Sequence, residues 1–437
     1  LSEFRVNFYI PETGAKDSGS PSFSAQISGS SFQITNFSTP QERALRGFDV
    51  EFGKGFDLPQ NWEFWAYAGG FHFDADNVDD VTGPRGRIEL TYNDVPYIGR
   101  GSKFTLGIEA QHDDVRGRQV FGMARLRIPL RANSSKSEPE LSKLDQRMTA
   151  RIYRDVDIVS GEQAAILSTE PAQVALANGT QVTSFSTVDA SDKITTDVAS
   201  AGANSLIILD GSAGVINTGT VVATQSGQSI LGGGSTVTVT GVSSGNSAVV
   251  TLPGTRPTIN GTSGVTDVLQ VFGGDNDVTL RGFNITGGAV GLSINGSDRT
   301  VIDDVSISNT QFDNLRFNNV SDASVRNSSF ANANFSVLSE AVRFEVGVSN
   351  ISFDNVSISQ ATNGFNFSTV ALFPTYTGVS FNNVTVDNVL NAVTVGATAT
   401  LNNPTGTIDA TNVTLNECNN LGTINGSSLL LNAANCL

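Results

Sequence analysis

The sequence predicts an all-β chain made of two architectures: a partial antiparallel transmembrane β-barrel over residues 1–131 and a right-handed parallel β-helix over residues 203–437. Three observations predict it. As far as residue 130 the chain alternates apolar and polar residues with period two, the spacing of strands whose two faces meet different surroundings. The polar face of these stretches carries charges of both signs deep inside long strands, as a wet barrel lumen does. From Asp277 onward, short Asn/Ser/Thr/Val phrases return at a nearly fixed spacing of roughly 20 to 30 residues, the period of stacked β-coils.

Composition bounds the function. The formal charge of −16 is uneven: residues 1–160 hold 19 Lys/Arg against 22 Asp/Glu, and residues 161–437 hold 7 against 20. That leaves −13 on the second part, with too few cations to neutralise phosphates, so nucleic acid is not an expected partner. Aromatic residues concentrate early in the chain, residues 1–131 holding 19 of the 34. The absence of an 18-residue apolar run excludes a membrane helix. Low cysteine usage, Cys418 and Cys436 alone, fits an exported bacterial chain. Leu1 falls inside an apparent strand, so further barrel strands are expected to precede it, and the lack of a signal peptide carries no meaning.

About eight strands can be counted in the first part, including weaker ones at residues 22–28 and 31–37. One face collects Arg5, Asp49, Glu51, Arg85, Arg87, Glu89, Lys103, Glu109, Arg125 and Arg127, which are expected to face the lumen. The apolar set expected to face lipid includes Phe4, Val6, Phe8, Phe48, Phe52, Ile88, Leu106, Ile108, Leu126 and Ile128. Trp65, Tyr67, Phe71 and Phe73 are grouped with that set, opposite His72 and Asp74. A soluble sandwich would alternate too. The bipolar charge of the polar face favours a barrel, as do short turns after Ser28, Phe56 and Val95 set against longer polar connections after Ile10, Phe37 and Asp74.

The phrases RGFDVEFGKGFDLP (46–59), AYAGGFHFDAD (66–76), GPRGRIELTYND (83–94), TLGIEAQHDDVRGRQVFGMARLRIPL (105–130) and RMTARIYRDVDIV (147–159) resemble the C-terminal half of an inverse autotransporter β-domain, the translocator of the intimin and invasin group. The resemblance covers about the first third of the chain. It implies a twelve-stranded barrel, outer-membrane lipid and the barrel-assembly machinery as partners, and a linker threading the pore to a C-terminal passenger on the cell surface. Eight strands fall short of that number, and a barrel of eight is about filled by its own side chains.

Residues 132–160 leave the alternation through a Ser/Lys/Glu/Pro-rich run and read as a linker or plug. Arg147, Arg151 and Arg154 follow closely; they either face solvent or meet Asp49, Glu51, Glu89 or Glu109 on the lumen wall. Residues 161–202 are less regular and form either a cap or a small β-module. The first coils are expected over residues 203–241, with Gly232 to Gly234 at a tight corner.

The repeating phrases align on Phe283, Val305, Ser328, Val356, Val384 and Val413, each one coil beyond the last, with the later intervals somewhat longer than the first two. The recurring Asn284, Asn327, Asn355, Asn383 and Asn412 are expected at coil bends, their amides bonding up the stack. They also open N-x-S/T triplets, which the repeat explains without glycosylation. A Cys418–Cys436 disulfide is expected to clamp the last coil, for about 3 kcal/mol in the chain-entropy picture.

For chemistry, the two histidines, His72 and His112, both lie in the barrel-like part. Asp303 and Asp304, with Asp354 or Asp387, could flank a glycosidic bond, but no Arg/Lys constellation or aromatic platform is evident beside them. The acidic run at 74–80 lacks the spacing and glycine of a calcium loop. The chain therefore reads as a non-enzyme without metal or cofactor, one that exports and anchors its own β-helix for adhesion to a cell, matrix or glycan. The alternatives are a surface-displayed polysaccharide lyase or hydrolase and a soluble two-domain β protein.

Overall fold

The structure, a computed structural model, describes residues 1–12, 16–76, 78–98, 101–128, 159–262, 267–333, 339–368, 373–432 and 434–435. It is all-β, 64% strand and 2% helix. The chain divides into two compact units, Leu1–Ser22 with Asn36–Leu167, and Phe23–Thr35 with Ser168–Leu437.

The first unit is dominated by a six-stranded antiparallel sheet in the order Ser2–Tyr9, Arg46–Asp57, Trp62–Ala75, Val78–Asn93, Lys103–Asp113 and Gly117–Arg127. Its strands reach 16 residues because apolar and polar positions alternate over long stretches, as from Arg85 to Asn93. Among the described residues no pairing joins the first strand to the last, so this sheet is open and a closed barrel is not seen.

Two expectations about this part are corrected. The strands Ser22–Ser28 and Ser31–Phe37 do not join the six. They form the edge of a separate sheet with Ile166–Ala175, Thr236–Gly241 and Ser247–Thr251, where Phe32 and Ile34 are fully buried against Val174, Val237 and Val239. Period two records only that a strand has one greasy face, and here that face meets protein.

The connection after Asp74 is also tight rather than long. Ala75 pairs with Val78, and a register shift between Phe73 and Ala75 takes up the extra residue between Val78 and Val81. The end of the sheet that holds this turn carries one long excursion, from Tyr9 to Arg46, and two short turns.

The second unit is a parallel β-solenoid of about nine turns among the described residues. Its strands stack in register, as in Ser352–Phe367 on Ser380–Val395, where Phe353, Val356 and Ile358 lie over Phe381, Val384 and Val386. Each inward Val, Ile or Phe buries its side chain for roughly 1.5–3 kcal/mol, so stability accumulates coil by coil. Stacked rings run up the core: Phe317, Phe344 and Phe367 have centroids 5.5 and 4.5 Å apart in near-parallel planes.

The first parallel strand is Ser186–Val188, and the helix Ile194–Ala201 puts Ile194 and Val198 into the first coil's core. Residues 161–202 thus supply both a side-sheet strand and a capping helix. Thr236–Gly241 and Ser247–Thr251 form an antiparallel hairpin rather than a coil.

Gly232 to Gly234 make a tight corner: a Cβ on Gly232 would fall 1.9 Å from the Gly282 carbonyl, and Gly234 has φ 81°. The last repeat interval is corrected as well. Val384 pairs with Ile408, not Val413, because the register shifts between Phe381 and Val384, and this coil is shorter than the phrase alignment makes it.

Asparagine ladders occupy the bends. Asn327, Asn355 and Asn383 have φ of 51, 53 and 49°, the left-handed region that Asn tolerates best after Gly. Asn355 Nδ2 donates to Asn327 Oδ1 at 2.9 Å and Asn383 Nδ2 to Asn355 Oδ1 at 3.0 Å. Two members are misplaced by the sequence alignment: Asn284 lies within the strand Thr279–Gly287, the bend being Gly282, and Asn412 turns the opposite corner with Asn388.

Candidate functional site

Two arrangements can bear function, one in each unit. In the first, the six-stranded sheet is inverted relative to a soluble sheet: ionic side chains lie on the enclosed face and apolar ones on the open face. Arg87 donates to Glu51 at 2.6 Å and lies 3.5 Å from Glu89. Arg85 stands 3.1 Å from Glu109 and 3.7 Å from Asp49. Arg5 pairs with Glu3 and approaches Glu51 at 3.8 Å. Asp49 also accepts hydrogen bonds from Asn7 and from the Tyr9 hydroxyl. The Tyr67 ring lies between Arg5 and Arg87, whose guanidinium carbons are 5.1 and 4.3 Å from its centre.

Such a network persists out of water because each charge has a partner; a lone ion there would cost several kcal/mol. Seven of the ten expected lumen residues, Arg5, Asp49, Glu51, Arg85, Arg87, Glu89 and Glu109, come together in it. Lys103 and Arg127 pair across neighbouring strands on the same face, and Arg125 and Arg127 are exposed on the last strand. The aromatic strand is corrected: Trp65, Tyr67, Phe71 and Phe73 are buried on this ionic face, while His72 and Asp74 point the other way. Glycines make room for the rings. A Cβ on Gly53 or Gly55 would fall 2.4 or 2.2 Å from the Tyr67 or Trp65 ring.

The opposite face carries Phe4, Val6, Phe8, Phe52, Ile88, Leu106, Ile108, Val120, Leu126 and Ile128, all exposed, Phe8 to 76%. A contiguous apolar face on this scale marks contact with something other than water. Among the described residues no helix is long and apolar enough to cross a membrane.

The chain leaves Arg127 at the end of the sheet where Arg127 pairs with Lys103. It reappears at the other end, where Val159 packs with Leu45, Phe73 and Val81 and accepts a hydrogen bond from the Leu45 amide. The expected contacts of Arg147, Arg151 and Arg154 lie outside the described residues; the carboxylates expected to meet them already face Arg5, Arg85 and Arg87.

In the solenoid, the carboxylates singled out by sequence do not converge. Asp303 and Asp354 share a column but are separated by Arg326, and Asp354 accepts from Asn382 at 2.6 Å. Asp304 turns a corner and pairs with Arg256 at 2.7 Å. Asp387 lies midway along Ser380–Val395, beside the corner at Asn388, where hydrogen bonds from Thr411 and Asn412 hold its carboxyl below the usual range.

A group missed by sequence reasoning does converge. Asp313 and Glu340 are in register on adjacent coils, as are Arg316 and Arg343 beside them. Asp313 Oδ2 accepts from Arg316 Nε and Nη2 at 2.8 and 2.6 Å, and Glu345 lies 3.7 Å from both arginines. Glu340 accepts from Asn363 at 2.9 Å. Burial pushes the Asp313 and Glu340 carboxyls above the ordinary range, with Asp313 adding to the effect on Glu340. The signal was present as a repeated phrase, DNLRF and EAVRF, one coil apart.

Shallow polar grooves flank the asparagine bends, one of about 520 Å³ lined by Asn309, Gln311, Asn332 and Gln360. No group of three potential metal ligands is gathered among the described residues. Cys418 lies on Asn416–Asn420 against the core, and its expected disulfide lies outside the described residues with Cys436.

No family model and no curated protein matches the chain. Among solved structures it is similar to an alginate lyase from Paenibacillus sp. str. FPU-7, at TM-score 0.34 and 13% identity over 56% of this chain and 98% of that one. It is also similar to the catalytic domain of a GH87 alpha-1,3-glucanase in complex with nigerose, at TM-score 0.24 and 12% identity over 98% and 97%. Both neighbours are enzymes by name, against the expectation of a non-enzyme.

Proposed function

We propose that the six-stranded sheet is part of the wall of an outer-membrane β-barrel, of the inverse autotransporter kind that its phrases resemble, and that it anchors the β-solenoid at the cell surface. The observation that carries this reading is the inverted sheet: Arg87 is 2% exposed and Phe8 76%. In water that arrangement exposes a greasy face and buries ions; in a bilayer each face meets its own solvent.

Arg127 and Val159 lie at opposite ends of the sheet, which supports the expected linker between them. With no ATP outside the inner membrane, folding of successive coils supplies a driving force for export. The test is surface labelling of intact cells bearing Ser357→Cys, at an exposed position of the solenoid, with migration of the unheated protein in detergent gels. Labelling together with heat-modifiable migration supports the reading, and an unlabelled, unshifted protein refutes it.

A second reading concerns what the solenoid does once displayed: it acts on a glycan at Asp313 and Glu340. Glu340, 4% exposed and in register with Asp313 on the neighbouring coil, is the candidate proton donor to a glycosidic oxygen, and the fully buried Asp313 acts only by holding Arg316. Release of reducing ends from a polysaccharide panel, lost in Asp313→Asn and Glu340→Gln, is the expected result. Equal release by the variants would rule these two residues out.

A further inference from the structure

The apolar open face of the six-stranded sheet ends in two unlike margins. At one margin rings gather: Trp62 faces Tyr92 across neighbouring strands with ring centres 4.8 Å apart, and Phe56 lies 6.4 Å from Phe64. At the other, guanidinium and imidazole groups gather. Arg46 opens Arg46–Asp57, His72 comes near the end of Trp62–Ala75, His112 is next to last in Lys103–Asp113, and Arg118 is second in Gly117–Arg127. Trp62 and His72 mark the two margins on one strand, about 33 Å apart along it, or about 25 Å along the axis of a barrel with the usual strand tilt. That is the height of the apolar band on an outer-membrane wall.

Two of the four basic groups are engaged. Arg46 donates to Asp74 at 3.0 Å, and His72 Nδ1 lies 2.6 Å from Thr82 Oγ1. His112 and Arg118 stand directly opposite each other on adjacent strands, both exposed, and among the described residues neither has a hydrogen bond or an ion pair. Cross-strand neighbours of this kind hold their Cβ atoms about 5 Å apart. The next outward pair on the same two strands, Ala110 and Val120, is apolar. A guanidinium at the edge of a lipid-facing surface is satisfied best by an anion at headgroup depth.

We propose that His112 and Arg118 bind the phosphate of an anionic lipid headgroup in the outer leaflet. The fork of Arg118 matches two phosphate oxygens, and the His112 imidazole supplies a further donor. The leaflet follows from the path of the chain. The excursion from Tyr9 to Arg46 leaves from this margin and supplies Phe23–Thr35 to the solenoid unit, so with the solenoid displayed this end is the outer one. The exposed carboxylates of Asp79, Asp80 and Asp114 lie at the turns, beyond the apolar band and in water, which leaves the level of the pair to the two basic groups. This inference rests on the reading of the sheet as a barrel wall and adds a ligand to it.

The test is native mass spectrometry of the full chain in non-ionic detergent micelles doped with diphosphoryl lipid A or with the same lipid after phosphatase treatment. The chain should retain lipid A, retain the dephosphorylated lipid about tenfold less, and keep its lipid A when millimolar inorganic phosphate is added. Arg118→Gln should lower retention about tenfold, and His112→Phe should lower it less. Lys54→Gln, which removes an outward cation near the ring-lined margin of the same face, should leave retention unchanged. Equal retention of the dephosphorylated lipid, displacement by inorganic phosphate, indifference to Arg118→Gln, or an equal loss in Lys54→Gln overturns the proposal. Each variant is first shown to keep its heat-modifiable migration, so a folded wall that ignores lipid A refutes this site and leaves the reading of the wall standing.

Discussion

Arg87 reaches Glu51 across an intervening strand, and it does so over Gly69, which lies between Glu51 and Arg85 in register and has no side chain to block the path. The ionic face is therefore held by a bond that spans three strands. Arg87→Ala would leave Glu51 enclosed without its closest partner, a loss of about 3–5 kcal/mol. The heat-induced gel shift should then occur at a lower temperature. The double variant Glu51→Ala with Arg87→Ala should lose less than the sum of the single changes.

Ile108 separates a lipid-facing wall from a water-facing one. It is exposed in the middle of Lys103–Asp113. In a bilayer, Ile108→Arg should cost about 2–4 kcal/mol and reduce the yield of membrane-inserted protein. On a sheet in water the same change would be neutral or would raise solubility, so membrane fractionation of the variant decides between them.

The ring of Tyr67 covers Gly53, where a Cβ would meet it at 2.4 Å. Gly53→Val should displace the ring from Arg87 and cost about 1–3 kcal/mol by overpacking. The near-ultraviolet circular dichroism and the gel-shift temperature should both change.

Asn355 combines a left-handed backbone with a rung of the ladder. Asn355→Gly should lose the rung alone, about 1 kcal/mol, while Asn355→Ala should lose the rung and also strain the backbone, about 2 kcal/mol. Chemical denaturation of the two variants separates the terms. Equal losses would mean the backbone contributes nothing.

Asp313 and Glu340 make solenoid stability depend on pH in a definite direction. Their carboxyls are raised in the folded chain, so the folded state holds more protons than the unfolded one between the ordinary carboxylate range and the folded values. Stability should fall as pH rises through that window. Asp277, lowered mainly by its hydrogen bond from Arg299, works oppositely, its contribution being lost as pH falls below the usual range. Glu340→Gln should flatten the melting temperature across the upper window, and an unchanged slope would contradict the assignment.

Much of the architecture was legible because each coil repeats one phrase and each wall strand alternates. Val356 and Val384 align in sequence as they do in space. The misreadings share a cause. The repeated phrase puts Val413 one corner away from its true position because a register shift leaves no mark in composition, and alternation groups Trp65 and Tyr67 with the lipid face because the sequence does not reveal which face of an aromatic strand a glycine neighbour makes room for. The Asp313 group went unseen because its members lie a full coil apart in the chain and meet only when coils stack.

By itself, then, the sequence determined that the chain is all-β, that it changes from alternating strands to stacked coils, and that the early strands alternate two unlike sets of side chains. Those features follow from local periodicity, which a short stretch of chain already expresses. Only the tertiary structure decided that Phe32 and Ile34 belong beside the solenoid rather than in the wall, that Arg87 crosses to Glu51, and that two arginines and two buried carboxyls share one patch. Those depend on which strands pair and in what register, and pairing is fixed by contacts between residues far apart in the chain.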